Sequence, residues 1–177
     1  MANRALTGVL LVGGLSRRFG SPKALAELDG LTLAERAWRL LGETCDERLA
    51  VGKRDDALEL PFELLDDGIE VRAPIAGVVA GLLAATHDLA VVIPVDVPRL
   101  TAAAVHELAA ACRDVAVSPR GPLPGAYRRT ALPALELALA ENRLRLRDAI
   151  GALDVAIVEL DARQLVNVNT PDDVQRL

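Results

Sequence analysis

Short apolar runs alternate along this chain with longer segments in which apolar residues recur at helical spacing. The runs predict strands at Thr7–Val12, Glu47–Val51, Phe62–Leu65, Leu89–Val95, Val115–Ser118 and Val155–Leu160. The segments between them predict helices at Thr32–Gly42, Ile75–Ala85, Thr101–Cys112 and Ala131–Asn142. This order predicts an α/β fold with an open, mostly parallel sheet and helices on both faces. We expect residues 1–177 to form a single domain.

Local signals refine this pattern at three places. Thr32 and Glu35 have the spacing of a capping box at the first helix. Thr170 precedes Pro171 and two acidic residues, which predicts the start of a last helix. Around Gly121–Tyr127, glycine and proline interrupt the pattern, so we expect loops and a short antiparallel excursion there.

Polar residues follow three of the predicted strands, at the edge where open α/β sheets bind ligands. These are the turn after Val12, the pair Asp66-Asp67, and Asp96. Because the carboxyl ends of parallel strands meet at one edge of a sheet, we expect these three segments to lie together.

Composition and charge reduce the range of functions that the chain could have. Of the 177 residues, 51% are hydrophobic but only 2% aromatic, which indicates a core of Leu, Val, Ala and Ile. The net charge of −5 argues against general binding to nucleic acid or anionic membranes, so any anion site must be local. No apolar stretch reaches the roughly 20 residues of a membrane span, and no signal-peptide pattern is present. We expect a cytoplasmic protein.

Cysteine and histidine give no sign of metal chemistry. Cys45 and Cys112 are far apart in the sequence and form no C-x-x-C pair, so we interpret them as reduced thiols. The two histidines, His87 and His106, are too few to suggest a zinc site.

The segment LLVGGLSRRFGSPKAL at residues 10–25 carries the most information. Its spacing fits neither the dinucleotide fingerprint G-x-G-x-x-G nor the P-loop G-x-x-x-x-G-K-[ST]. Gly13 and Gly14 would still let main-chain N–H groups approach an anion, and Arg17, Arg18 and Lys23 would neutralise a polyphosphate. The alternative is a tight strand-to-helix turn with solvated cations.

The acidic positions have similar alternatives. A carboxylate at the end of a buried strand needs a partner, and Mg²⁺ held by Asp96 and substrate phosphates would supply one. Otherwise Asp96 is a cap for the helix that follows. The pair Asp66-Asp67 would contact a ligand at the same edge of the sheet, or it is a solvated acidic turn.

The glycine-rich segment also resembles a family signature. Leu11–Gly20, followed by Lys23, is similar to the L-x-G-G-x-S-x-R-M-G-x-D-K signature of the molybdenum cofactor guanylyltransferases. These are nucleotidyltransferases with a GT-A-like, Rossmann-type fold. Phe19 replaces the usual Met, and Pro22 replaces the acid before the lysine. Relatives that use CTP typically show L-A-A-G, so the Gly13-Gly14 version implies GTP.

The resemblance continues to the last helix. Asp96 falls in a D-x-P motif whose Asp binds the metal in the family, and Asp67 matches the nucleotide-contacting acid better than Asp66 does. Other matching segments are the turn Arg72–Gly77, with Ala73 in place of a Gly, the N-x-N-T-P-E-D element at Asn167–Asp173, and the pterin regions at Pro122–Gly125 and Asn142–Arg147. Asn142 stands where the family usually has Gly.

The resemblance implies GMP transfer from GTP to the phosphate of molybdopterin bearing molybdenum, with release of pyrophosphate. It implies Lys23 and Arg17 as triphosphate contacts and Asp96 as the Mg²⁺ ligand. It also implies nucleotide contacts from Leu11, Val12, Gly13, Gly14 and Asp67. Molybdoenzyme-maturation proteins are suggested as further partners. Two alternatives remain: cytidylyl or other nucleotidyl transfer, and a nucleotide-binding chaperone that carries the cofactor without catalysis.

Overall fold

The computed structural model describes residues 5–13 and 22–177. Its strands are β1 (Leu6–Leu11), β2 (Glu27–Leu28), β3 (Leu31–Thr32), β4 (Glu47–Gly52), β5 (Leu64–Asp66), β6 (Leu89–Pro94), β7 (Val115–Ser118), β8 (Gly121–Arg128) and β9 (Val155–Ile157). Its helices are α1 (Leu33–Thr44), α2 (Pro74–Ala84), α3 (Ala102–Ala111), α4 (Leu132–Ala140), α5 (Leu146–Ala149) and α6 (Pro171–Gln175). Each predicted strand and helix is present, with its ends shifted by a few residues.

Most of the described strands belong to one sheet in the order β5-β4-β1-β6-β8-β7-β9, and β2 and β3 form a separate hairpin. The run β5-β4-β1-β6 is parallel throughout, and β9 lies parallel to β7. The predicted α/β fold with a mostly parallel sheet is therefore confirmed.

Strand β8 confirms the antiparallel excursion predicted around Gly121–Tyr127, but it takes the place of the predicted loops. It runs antiparallel between β6 and β7 and is the longest strand of the described sheet. Its register with β7 shifts between Val117 and Ser118, so the segment that contains Pro122 and Pro124 lies at an irregularity of the ladder. Proline is tolerated there because no regular hydrogen bond is lost.

Both predicted helix starts have the expected caps. The Thr32 side chain accepts from the Glu35 amide at 3.1 Å, while the Glu35 carboxylate accepts from the Thr32 amide at 2.9 Å. Thr170 and Asp173 form the same reciprocal pair at the start of α6, with Pro171 at its first position. These bonds satisfy N–H groups that a helix start otherwise leaves free.

Two apolar clusters cover the two faces of the sheet. One contains Leu33 and Leu41 of α1 with α3, and the other contains Ile75 of α2 with α4. Helix α2 approaches β1 closely through Gly77 and Gly81, because a Cβ at these positions would lie 2.8 Å from Leu11 and 2.6 Å from Val9. This contact fixes the start of α2 beside the end of β1.

The described chain contains no helix long and apolar enough to cross a membrane. Both cysteine thiols are free; Cys112 is buried and Cys45 is partly buried. Burial raises the pKa of the Cys112 thiol to about 11, so this thiol is protonated at neutral pH.

Candidate active site

A cavity of about 800 Å³ lies at the edge of the sheet where β1, β4, β5 and β6 end. The chain leaves β1 toward β4 on one side and returns from β5 to β6 on the other, so the cavity lies at the point where the topology reverses. Such a switch point is the usual ligand site of open α/β sheets. Its lining includes Leu11, Val12, Gly13, Lys23, Gly52, Lys53, Asp56, Asp67, Arg72, Pro74, Asp96, Leu123 and Asn167.

Lys23 and Asp96 meet in this cavity although 73 residues separate them in the sequence. The Lys23 Nζ lies 3.4 Å from Asp96 Oδ2, and these side chains are 15% and 24% exposed. Lys23 also donates to Asn169 Oδ1 at 3.0 Å. A short 3₁₀ helix at Lys23–Leu25 positions the lysine, and its Ala24 is buried in the core. The expectation that Lys23 and Asp96 share one edge of the sheet is confirmed.

The segment Asn167–Asn169 is attached to the end of β6. The Val168 amide donates to the Asp96 carbonyl at 2.9 Å, and the Val168 side chain is fully buried. Asp173 Oδ2 then accepts from the Asn169 amide at 2.9 Å. Asn167 lines the cavity together with Asp96, and Asn169 accepts from the lysine that contacts Asp96.

The neighbouring residues Asp66 and Asp67 make different contacts. Asp66 accepts from the amides of Arg54 (2.7 Å) and Gly68 (2.8 Å), which lowers the pKa of its carboxyl and holds the turn. Asp67 lines the cavity instead, and its Oδ1 lies 2.6 Å from Lys53 Nζ. The preference for Asp67 over Asp66 as the ligand-facing acid agrees with this placement.

A second ion pair lines the same wall. Arg72 Nη1 donates to Asp56 Oδ1 at 2.6 Å, just before α2 begins at Pro74. Ala73 has no polar side chain to cap this helix, Pro74 has no N–H group, and the Ala76 amide donates to the Ala73 carbonyl at 3.0 Å. Among the described residues, the Ile75 amide is therefore the N–H group at this helix start that a ligand could accept from. The positive end of the α2 dipole adds to the attraction of the cavity for anions.

A smaller cavity of about 340 Å³ adjoins the first, and both are lined by Leu123 and Asn167. Ser118 and Pro124 also line it. The Ser118 side chain is buried, and its hydroxyl has no hydrogen-bond partner among the described residues.

The cavity brings together most of the residues predicted from the sequence. Leu11, Val12, Gly13, Lys23, Asp67 and Asp96 all line it. Gly14 and Arg17 lie outside the described residues, as do Arg18 and Phe19. The functional roles assigned to all these residues stay predictions.

The predicted segment at Asn142–Arg147 does not line either described cavity. Asn142 has a φ of +55°, in the left-handed region where glycine is usual and asparagine is tolerated. This conformation explains why asparagine can replace the Gly expected from the family pattern. Arg143 pairs with Glu141 at 2.7 Å.

Sequence reasoning missed Lys53, which follows the end of β4 directly and pairs with Asp67. The available signal was its position, because the residue after a parallel strand lies at the ligand edge. Lys53 is separated from the glycine-rich segment, and no motif drew attention to it.

The donor set at Asp96 fits a magnesium ion. Mg²⁺ takes oxygen ligands, with one or two carboxylates and the rest from phosphate and water. Asp96 offers a partly exposed carboxylate, and Asn169 offers an amide oxygen beside it. Among the described residues no group of three or more His, Cys, Asp or Glu side chains could hold a metal.

The fold and the site, a cavity with paired cations and acids at the switch point of a Rossmann-like sheet, are those of a nucleotidyltransferase. The family model described as the MobA-like NTP transferase domain matches residues 8–156. The chain therefore belongs to the MobA-like NTP transferase family.

Similar proteins agree with this assignment. The chain is 33% identical to a probable molybdenum cofactor guanylyltransferase of Chloroflexus aggregans, over 96% of this chain and 92% of the relative. It is 29% identical to the molybdenum cofactor guanylyltransferase of Desulfosudis oleivorans, over 97% and 94% of the two chains. The crystal structure of molybdopterin-guanine dinucleotide biosynthesis protein A from Archaeoglobus fulgidus has the same fold, with a TM-score of 0.82, 23% identity, and coverage of 96% and 95%.

Proposed function

We propose that this protein is a molybdenum cofactor guanylyltransferase, which transfers GMP from GTP to the terminal phosphate of molybdopterin bearing molybdenum. One observation carries the proposal. Lys23 and Asp96, from separate motifs, lie 3.4 Å apart in a cavity that Asp67 also lines. A cation for phosphate, an acid for a metal and an acid for a base are thereby present in one site. The names of the similar proteins support the choice of GTP and of the molybdopterin acceptor.

The proposed reaction is an in-line displacement at phosphorus. An oxygen of the acceptor phosphate forms a bond to the α-phosphorus of GTP, and the bond from that phosphorus to the bridging oxygen of the β-phosphate breaks. Pyrophosphate leaves with the electron pair. The acceptor is already an anion at neutral pH, so no covalent enzyme intermediate is required. The protein positions the two anions and neutralises their charge.

Lys23 is the phosphate-binding cation among the described residues of the cavity rim. On binding, its ammonium would exchange Asp96 for the triphosphate, and Asn169 would keep it oriented. The carboxylate of Asp96 would then be free to hold Mg²⁺. When bound, Mg²⁺ supplies positive charge against the phosphate oxygens. The positive end of the α2 dipole at Pro74 would attract the same anion.

The adjoining cavity of about 340 Å³ is the proposed acceptor site. Leu123 and Asn167 line both cavities, so a phosphate at this boundary would approach the nucleotide while the rest of the acceptor fills the smaller space. The hydroxyl of Ser118 offers a hydrogen bond to a polar edge of that acceptor.

Pyrophosphate release tests the proposal. Purified protein with molybdopterin as acceptor and Mg²⁺ is given GTP or CTP, and pyrophosphate is measured with and without the acceptor. We expect acceptor-dependent release with GTP and little with CTP. Equal or greater release with CTP would identify a cytidylyltransferase. Binding of GTP without any acceptor-dependent turnover would identify a nucleotide-binding chaperone.

A further inference from the structure

The Lys53–Asp67 pair is the most enclosed ion pair in the described wall of the main cavity. The lysine side chain is 13% exposed and the aspartate side chain 7% exposed. Taking two charges out of water is costly, and the mutual attraction alone often fails to offset that cost. Most of the pair's hydrogen-bonding capacity must therefore be satisfied, either by the protein or by a ligand.

Lys53 and Asp67 each keep one hydrogen-bonding group that no described residue satisfies. An ammonium has three N–H donors, and Lys53 donates to Asp67 Oδ1 and to the Ile69 carbonyl. Asp67 accepts at Oδ1 from Lys53 and from the Ile69 amide at 3.0 Å. Among the described residues, one N–H of Lys53 and the second carboxylate oxygen of Asp67 remain to be satisfied. Because Lys53 Nζ lies 2.6 Å from Asp67 Oδ1 and the two oxygens of a carboxylate share one carbon, these two groups are close together. Both residues line the cavity.

A donor beside an acceptor matches one type of nucleobase edge. Guanine presents its O6 acceptor next to its N1–H donor. Adenine and cytosine present the reverse, an exocyclic amine donor next to a ring nitrogen acceptor. An adenine or cytosine placed here would set donor against donor and acceptor against acceptor, which leaves buried polar groups unpaired.

We propose that Lys53 and Asp67 together form the base-reading element of this site. Lys53 donates to O6 of guanine, and the second oxygen of Asp67 accepts from N1–H. The inference rests on the proposed binding of GTP in this cavity and assigns Lys53 a role that the glycine-rich segment does not supply. The selectivity for guanine over cytosine and adenine then comes from hydrogen-bond polarity as well as from the size of the base.

Direct binding measurements test this without the acceptor. The dissociation constants of GTP, ITP, ATP and CTP are measured by calorimetric titration. ITP keeps O6 and N1–H but lacks the 2-amino group, so it isolates the edge in question. We expect Lys53→Met to weaken GTP and ITP by about 10- to 100-fold, the effect of losing a hydrogen bond from a charged group. ATP and CTP should change by less than about threefold, because they do not use this donor.

Asp67→Asn should change the preference between adenine and guanine. The amide can turn an N–H donor toward the base, which suits adenine N1 and opposes guanine N1–H. The ratio of ATP to GTP affinity should therefore rise in this variant. The double variant Lys53→Met/Asp67→Asn removes both charges, avoids leaving a buried unpaired carboxylate, and should bind GTP and ATP with similar affinity.

Arg72→Met is the matched control, because it removes the other ion pair of the same wall. It should leave the ratios between the four nucleotides unchanged. If Lys53→Met weakens all four nucleotides by the same factor, the pair is only structural and the proposal is overturned. Wild-type protein that binds GTP and ITP selectively but transfers no GMP would contradict the proposed function and leave the base-reading element standing.

Discussion

At the scale of single residues, opposite charges meet along the cavity wall, and nucleotide binding must rearrange some of them. Lys23 and Asp96 could be predicted from their motifs, because each follows a recognisable strand end. Their separation of 3.4 Å could not, because it depends on how β1 and β6 pair and on the anchoring of Asn169. Lys53 was missed because its partner Asp67 is near it only in the folded chain.

Replacing Lys23 by alanine separates phosphate binding from nucleoside binding. Lys23→Ala should weaken GTP by about 10- to 100-fold, since a charge-assisted contact to phosphate is lost. Guanosine should lose less than about threefold. Calorimetric titration of both ligands measures this difference, and equal losses would mean that Lys23 has a structural role.

Asp96→Ala should lower turnover by about 100-fold or more, because the carboxylate proposed to hold the metal is removed from the reacting phosphates. GTP binding measured without divalent metal should persist. Asp161→Ala, which removes an exposed acid paired with Arg163, serves as the control and should keep wild-type turnover. Near-normal activity of Asp96→Ala would show that Asp96 is not the metal ligand.

Gly13 tests whether the ligand lies against the end of β1. Among the described residues, the one neighbour of a Cβ built at Gly13 is the Gly52 Cα, at 4.0 Å, so Gly13→Ala should leave the thermal midpoint within about 2 °C of wild type. Gly13 lines the cavity, so the added methyl should weaken GTP by about tenfold or more. Thermal unfolding and GTP titration measure the two effects, and unchanged GTP affinity would place the nucleotide elsewhere.

At the scale of elements, helix caps could be predicted from the sequence better than strand pairing. The capping boxes at Thr32 and Thr170 are visible as spacing in the sequence because they are local. Strand β8 is not visible in the same way, because Pro122, Pro124 and two glycines are typical of loops. Its strand conformation comes from pairing with β6 and β7. The smaller cavity, which we propose as the acceptor site and which β8 helps to line, is therefore the part of the site that the sequence predicts least well.

The two capping boxes allow a paired test of α6. Thr170→Ala and Thr32→Ala should each cost about 1 kcal/mol of folding free energy, the usual effect of losing a cap. Only Thr170→Ala should also weaken GTP, because Asp173 of the same box holds the Asn169 amide beside Lys23. Denaturant unfolding and GTP titration provide the measurements. If both variants weaken GTP equally, the effect is one of general stability.

At the scale of the whole molecule, the two edges of the sheet hold different polar contacts. The described cavity at the carboxyl edge contains Lys23, Lys53 and Arg72, each paired with an aspartate. At the opposite edge, Glu47 accepts from Thr7 Oγ1 at 2.6 Å and from the Thr86 amide at 2.9 Å. This arrangement couples the stability of the sheet to pH at a point remote from the site.

Glu47 should make stability depend on pH in the acidic range. Partial burial raises the pKa of its carboxyl, but hydrogen bonds from Thr7 and Thr86 outweigh that effect, and the net pKa lies below its ordinary value of 4.5. The stabilisation is therefore complete above about pH 4.5 and is lost as the pH falls through the lower, folded-state pKa.

Glu47→Gln should cost about 1 kcal/mol at pH 7, a value reduced for the partial exposure of the site. Denaturant unfolding at pH 7 and at pH 4 measures it, and the difference from wild type should shrink at the lower pH. GTP affinity should not change, because Glu47 lies at the far edge of the sheet. A difference that grows on acidification would contradict the assignment.

The fate of the phosphates tests the central claim most directly. Protein, Mg²⁺ and molybdopterin are incubated with GTP labelled at the α-phosphorus or at the γ-phosphorus, and the products are separated. The account predicts α label in a guanine dinucleotide of the acceptor and γ label in pyrophosphate, in equal amounts. Release of γ label as inorganic phosphate, or α label that stays in free guanine nucleotide, would contradict it.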